Sequence, residues 1–430
     1  RWRFIMDVDE TGYGGYPPRP PGTFPLVRDV FDADRLRPEA RAVFDAVLEN
    51  TTHPYIGITT DGELRRGLFG IADEGLDTAP ILAAARDLLD ALGPAERSAV
   101  MRPVEASEWR RWTNAYPVWA PHGLLLEDAA PPQRDAILRL VSACMSARGA
   151  RETRDCMRLN AVLGEIVPYY PETLTEWMYR FSLFGAPSHD QPWGWQLAGH
   201  HLDLHCFILG RQMVLTPAFY GAEPRISDRD PYPGIRLFDA EIDRGRELMR
   251  SLDGSQLSVA VLYPSMLSGD LPPELKHPTE GRMRSVRGGD NMVLPYEGLC
   301  AADMSVRQRE LLMAVIDAYL GRLPAPAAAA RTAEIERHYE ETYFAWVGPA
   351  EEDTAFYYKV HSPVVLIELD CHAGVFLAND EPEPFHVHTV VRTPNGNDYG
   401  RDLLRQHYAQ VHSRASRQSG ASCSTSASST

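Results

Sequence analysis

GLLLEDAAPPQR, residues 123–134, returns as GLCAADMSVRQR, residues 298–309, with Gly, Leu, Asp, Gln and Arg at identical spacing. Each copy runs into a segment whose apolar residues recur every three or four positions, AILRLVSACM (136–145) and ELLMAVIDAYL (310–320). That period buries one face of a helix. Asp128 and Asp303 are expected to cap these helices or to lie in their first turn.

Working outward, Arg86–Ser98 (RDLLDALGPAERS) matches Arg246–Ser258 (RELMRSLDGSQLS) without a gap. Downstream, YRFSLFG (179–185) matches TYFAWVG (342–348), and the stretch around His200 aligns with YYKVHSPVVLIEL, setting His200 against His361. Four landmarks in one order imply a duplication. The expected fold class is therefore α+β, two pseudo-symmetric repeats of helices and antiparallel strands packed into one body. Residues 31–235 form the first half and 236–412 the second. Residues 1–30, with the Gly- and Pro-rich YGGYPPRPPGTFP, read as an extended arm. Residues 413–430, which include eight serines, read as a disordered tail.

Composition narrows the function. The chain has 430 residues, 44% of them hydrophobic, with 59 acidic against 43 basic side chains and a net charge of −16. That charge opposes a nucleic-acid backbone or an anionic membrane as the main partner and leaves room for a local basic pocket. Lys276 and Lys359 are the only lysines, so few amines are on offer for catalysis. Cys144, Cys156, Cys206, Cys300, Cys371 and Cys423 are widely spaced with no C-x-x-C, which points to a reducing cytoplasm rather than a disulfide framework. The start, RWRFIMDVDE, carries no secretory h-region, and no apolar run is long enough for a membrane span. G-x-S-x-G, P-loop and Rossmann glycine signatures are absent.

Two stretches could carry chemistry. GWQLAGHHLDLHCFILGRQMVLTPAF (194–219) reads as a strand, a tight turn near Gly210 and a return strand ending at Thr216-Pro217. At period two, His201, Asp203 and His205 share one face, a good facial set of metal ligands, or else a polar solvent face. FHVHTVVRTPNGNDYG (385–400) places His386 and His388 as an H-x-H pair, with Arg392 on the same parity. A guanidinium there suits a substrate carboxylate or phosphate, an ion pair with an acidic residue being the competing reading. Asn397 or Asp398 is expected to cap the helix that follows.

GHHL (199–202), TPAFYGAEP (216–224), YYKVHSP (357–363) and HVHTVVRTPNGNDYG (386–400) together resemble the bacterial and fungal domain-of-unknown-function family 3500, over roughly residues 30–412. The resemblance implies His200, His201, His361, His386, His388 and Arg392 as signature positions and says little about activity. The chain departs from the family pattern at His205 and Asp203, which weakens the His201, Asp203, His205 set. The expected metal set is then drawn from both halves: His200, His201, His361, His386 and His388. Arg392 would anchor the substrate, and Tyr358, with Tyr357 and Glu368, could act as acid or base. These expectations describe an enzyme using zinc, iron or copper on a small anionic molecule, by hydrolysis or oxidation. A metal-free ligand-binding protein and a metal-free hydrolase with a His general base are the rivals.

Overall fold

The computed structural model describes residues 12–20, 38–114, 122–277 and 280–411. After α1 (Pro38–Thr52) come α2 (Ala79–Ala91), α3 (Pro94–Val100), β1 (Met101–Arg102), β2 (Leu124–Leu125), α4 (Pro131–Ala143), α5 (Ala147–Ile166), β3 (Tyr179–Phe184), β4 (Trp193–Gly199), β5 (Leu202–Leu209) and β6 (Gln212–Ala222). The second stretch then supplies α6 (Asp239–Arg250), α7 (Gly254–Ala260), β7 (Val261–Tyr263), β8 (Leu299–Cys300), α8 (Val306–Leu320), α9 (Ala325–Arg337), β9 (Tyr343–Val347), β10 (Tyr357–His361), β11 (Leu366–Cys371) and β12 (Val387–Arg392). Helix α10 follows at 401–411. From α2 and from α6 onward the element order is the same.

All twelve strands belong to one mixed sheet, ordered β1-β3-β4-β5-β6-β12-β11-β10-β9-β7, with β2 on β3 and β8 on β9. β1 lies parallel to β3 and β7 parallel to β9; every other pair is antiparallel. The two stretches meet where β6 pairs β12. The helices cover one face, burying Leu140, Leu197, Leu204, Leu312, Tyr358 and Val360 in the main core. The other face is covered by irregular chain, and Trp109, Trp112, Met283, Val286 and Tyr399 pack there on Phe219, Tyr357 and Val390.

The recurring Gln-Arg pair has a local job. Gln133 accepts from Ala130 N and donates to Ala91 O, while Gln308 accepts from Ser305 N and donates to Ser251 O. Arg134 donates to the carbonyls of Leu126 and Glu127, and Arg309 to those of Met304 and Ala302. Helix α8 is capped by the Ser305 hydroxyl, and α4 begins after Ala130, so neither Asp128 nor Asp303 is the cap. The shared glycines matter more directly. Gly123 and Gly298 have φ of +83° and +90°, and a Cβ on either would run into the carbonyl of Phe181 or Phe344. Gly123→Ala and Gly298→Ala should each cost about 1–3 kcal/mol in urea unfolding, by similar amounts in the two positions.

Ladder register corrects one equivalence. His361 lies opposite Tyr343, and the residue opposite Arg180, the position aligned with Tyr343, is Ala198. His361 therefore corresponds to Ala198; His200 lies beyond the end of β4.

Of the N-terminal arm, residues 12–20 lie along the loop between β11 and β12: Arg19 N donates to Phe376 O (2.7 Å) and Ala378 N to Pro17 O (3.0 Å). The rest of residues 1–30 and the Ser-rich tail with Cys423 lie outside the described residues. No described helix is long and apolar enough to cross a membrane.

Candidate metal centre

The expected long strand from Trp193 to Gly210 is broken at His200 and His201, which form the two-residue turn between β4 and β5. His201 has φ 63°, a left-handed conformation uncommon outside glycine, though histidine adopts it more often than most side chains. Nothing in the residue types announces such a turn. Its effect is to lift His201 off the face that carries Asp203 and His205. The turn is pinned: His201 N donates to Asn114 O (3.0 Å), and His201 O accepts from Gly221 N (2.7 Å) and from the Cys156 thiol (3.2 Å).

Across β6 lies β12, with His388 opposite Gly221. A Cβ on Gly221 would stand 2.9 Å from the His388 ring and 3.1 Å from the His201 ring. Glycine there lets the two imidazoles converge. His386, just before β12, completes the group: His201, His386 and His388 offer ligand atoms all within 4.8 Å of one another. His386 Nε2 and His388 Nε2 are 3.0 Å apart. Two nitrogens bound at about 2.1 Å to one metal at a right angle would be separated by about 3 Å.

His386 Nδ1 donates to Ala373 O (2.9 Å), which leaves the Nε2 lone pair facing the cluster. Glu280 and His372 form a second triad with the same His388, also within 4.8 Å. Glu280 Oε2 is 3.6 Å from His388 Nδ1, and the carboxylate is held by Arg287 (2.6 Å) and Asn114 Nδ2 (2.8 Å). All five side chains are buried. Burial, then the neighbouring imidazoles, holds His201 and His386 well below the usual histidine value, so both are neutral and able to ligate. Burial works to raise the Glu280 carboxyl, but Arg287 and His388 outweigh it and keep it ionised.

His200 stacks on His201 with ring centroids 3.9 Å apart, and its Nδ1 lies 2.7 Å from Asn160 Oδ1. Burial first, then His388, lowers it to about 3. It supports His201 from the side of α5. Of the expected metal set, His200, His201, His386 and His388 are thus brought together. His361 is not: it sits at the far end of β10, edge-on to Tyr296, with both ring nitrogens buried and unpaired.

Arg392 shares the face of His388, as its parity predicts, but its donors are taken. Nε donates to Asp398 (2.7 Å), Nη2 to Asp290 (2.6 Å) and Nη1 to Ser285 O (2.6 Å). Asp398 accepts from Arg392 and from Thr393 N rather than capping a helix. Tyr358 points to the helical side, where its hydroxyl meets that of Tyr319 (2.5 Å). Tyr357 donates to Glu368 (2.8 Å) under the loops. Neither residue stands in the cluster.

His205 accepts from Gln196 at Nε2 (2.8 Å) and donates from Nδ1 to Pro217 O (2.8 Å), a neutral tautomer locked at both ends. Burial lowers it from 6.5 to about 3. In the unfolded chain it protonates below about pH 6.5 while the folded one stays neutral, so stability is full above that value and falls as pH drops towards 3. Replacing His205 with Asn should remove about 2 kcal/mol of the stability lost between pH 6.5 and pH 5, read by urea unfolding at both.

Two residues of the centre went unread in the sequence. His372 follows the end of β11, and its spacing from His386 spans a loop of irregular length, so no motif links them. Glu280 lies in a turn outside the helices and the strands of the sheet. The one signal was proximity: His372, His386 and His388 are the densest run of histidines in the second half.

Fold and site together define a sheet-centred α+β protein with buried histidine and glutamate groups able to hold a metal ion. Residues 74–401 match the family described as Protein of unknown function (DUF3500), and the chain belongs to that family. No curated protein and no solved structure matches the chain.

Proposed function

We propose that the protein is a metal-dependent enzyme acting on a small anionic organic molecule, with a divalent transition metal, zinc, iron or copper, held by His201, His386 and His388. The observation that carries this reading is the convergence of three buried imidazoles within 4.8 Å. Imidazole suits these metals, and three protein ligands leave a position for water or substrate. When bound, the metal would supply an activated water or a site for oxygen chemistry. Glu280, fixed by Arg287 and Asn114, places a carboxylate beside His388, and His372 stands next to both.

We also propose that the chain is a duplicated unit whose halves pack about a pseudo-twofold axis between β6 and β12. The common element order and the matched roles of Gly123 with Gly298 and Gln133 with Gln308 support it. The five described cysteines are free thiols, which supports a reducing cytoplasm.

Elemental analysis of untagged protein tests the metal. Near-stoichiometric zinc, iron or copper is expected, and a visible absorption band or oxygen consumption would favour oxidation over hydrolysis. A fully folded native protein that takes up none of these metals would sink the reading and leave the histidines as a general base or a ligand-binding group.

A further inference from the structure

The loop-covered face holds a cavity of about 140 Å3 apart from the histidines, over β9, β10 and β11. Arg282, Arg284, Lys359, Tyr357, Glu297 and Glu368 contribute to its wall. Polar side chains enclosed this way should be paired, because an unpaired buried charge is costly. All but one are. Glu368 accepts from Arg284 N (3.0 Å), Ser285 N (2.9 Å), the Ser285 hydroxyl and Tyr357 OH (2.8 Å), which fills its acceptor sites. Lys359 pairs with Glu297, and the Arg284 guanidinium donates to Glu274 O (2.8 Å).

The exception is Arg282. Its side chain is 7% exposed, and Nε and Nη1 are buried with no hydrogen-bond partner. Asp370 attracts the Arg282 guanidinium electrostatically, yet its carboxylate accepts a hydrogen bond only from the Arg282 main-chain N (3.3 Å), and its Oδ1 has no hydrogen-bond partner. A buried guanidinium that lines a small cavity and has no hydrogen-bond partner carries a charge that a carboxylate or phosphate in that cavity would neutralise. The cavity has room for either group with a few further atoms.

We infer that this cavity is a binding site for a small oxyanion, a carboxylate or phosphate group, with Arg282 as its counter-charge. The site needs no metal, and it stands whether or not the histidine cluster holds one. It takes the anchoring part that residue parity gave to Arg392, whose three guanidinium nitrogens each donate inside the protein.

Thermal unfolding of the full chain, at constant ionic strength set with sodium chloride, tests it against acetate, succinate and inorganic phosphate. At least one of these should raise Tm saturably, by about 3 °C at a hundredfold excess over its Kd. Which of them does so separates a carboxylate from a phosphate site. Arg282→Met should abolish the shift while its Tm without added oxyanion is equal to or above that of the parent, since an unpaired charge has gone. Arg282→Lys should retain the response with affinity at least tenfold lower. Three outcomes would each overturn the proposal: no oxyanion shifts Tm, Arg282→Met responds like the parent, or Arg282→Met is destabilised without added oxyanion, the mark of a purely structural arginine.

Discussion

His388→Ala is expected to drop the metal content of the purified protein from about one per chain by at least tenfold, and to remove turnover with it. His388 is the residue common to both triads, so its loss breaks the ligand set whichever of the two holds the ion. His386→Ala should act likewise through the 3.0 Å pair of Nε2 atoms. Glu280→Gln keeps the shape and removes the charge beside His388, and a fall of about 10–100-fold in metal affinity is expected. The informative contrast is His361→Leu. His361 belongs to the same sequence signature, but its ring nitrogens meet nothing, so leucine should leave metal content unchanged and stability equal or higher. Elemental analysis with parallel urea unfolding checks all four variants. Loss of metal from His361→Leu, or its retention by His388→Ala, would refute the assignment.

What was legible in the sequence and what was not follow from different physics. Periodicity and turn residues report on one element and its neighbours, so helices α4 and α8, the Gly210 turn and the parity of His388 and Arg392 could be read directly. The Gln-Arg motif kept its spacing because each copy ties one helix start to the chain before it, a local arrangement that recurs whole. Asp128 and Asp303 share that spacing without being the caps, since a helix start can move by two residues and keep its hydrogen bonds elsewhere.

The candidate metal centre is a non-local object, and spacing along the chain shows only part of it. The His201 turn uses a left-handed histidine, a preference too weak to mark a turn by itself, and it reverses the chain between β4 and β5. Counting alternate residues through that turn puts His201 beside Asp203 and His205, whereas the chain reverses there and hands His201 to β12. His361 was paired with His200 by matching names; hydrogen-bond register moves it by two positions, away from the cluster. Glu280 and His372 lie on irregular chain, where position is set by tertiary contacts such as Arg287 with Glu280, not by spacing.

Asp290→Ala is expected to destabilise the protein by about 3–5 kcal/mol or more, the largest loss among single substitutions outside the metal centre. Asp290 ties three side chains together under the loop-covered face. Its Oδ2 accepts from Arg110 Nε (2.9 Å), and its Oδ1 from Arg392 Nη2 (2.6 Å) and Tyr399 OH (2.9 Å). Alanine leaves two buried guanidiniums short of a counter-charge, and Arg392 keeps only Asp398. Burial works to raise the Asp290 carboxyl, but Arg392 and Arg110 outweigh it and hold it below the usual value. Its stabilisation is therefore present above the ordinary carboxylate range and is lost as pH falls through that lower folded value. Arg392→Met should unfold the same face, because it strands Asp290 and Asp398. In the double variant Asp290→Ala with Arg392→Met the losses should fall short of their sum by about 1–3 kcal/mol, since both remove one network. A substrate-anchoring Arg392 makes the opposite forecast: raised KM, unchanged urea midpoint and no coupling to Asp290. Denaturation of the two single variants and the double variant decides between a buried strut and an anchor, with no substrate required.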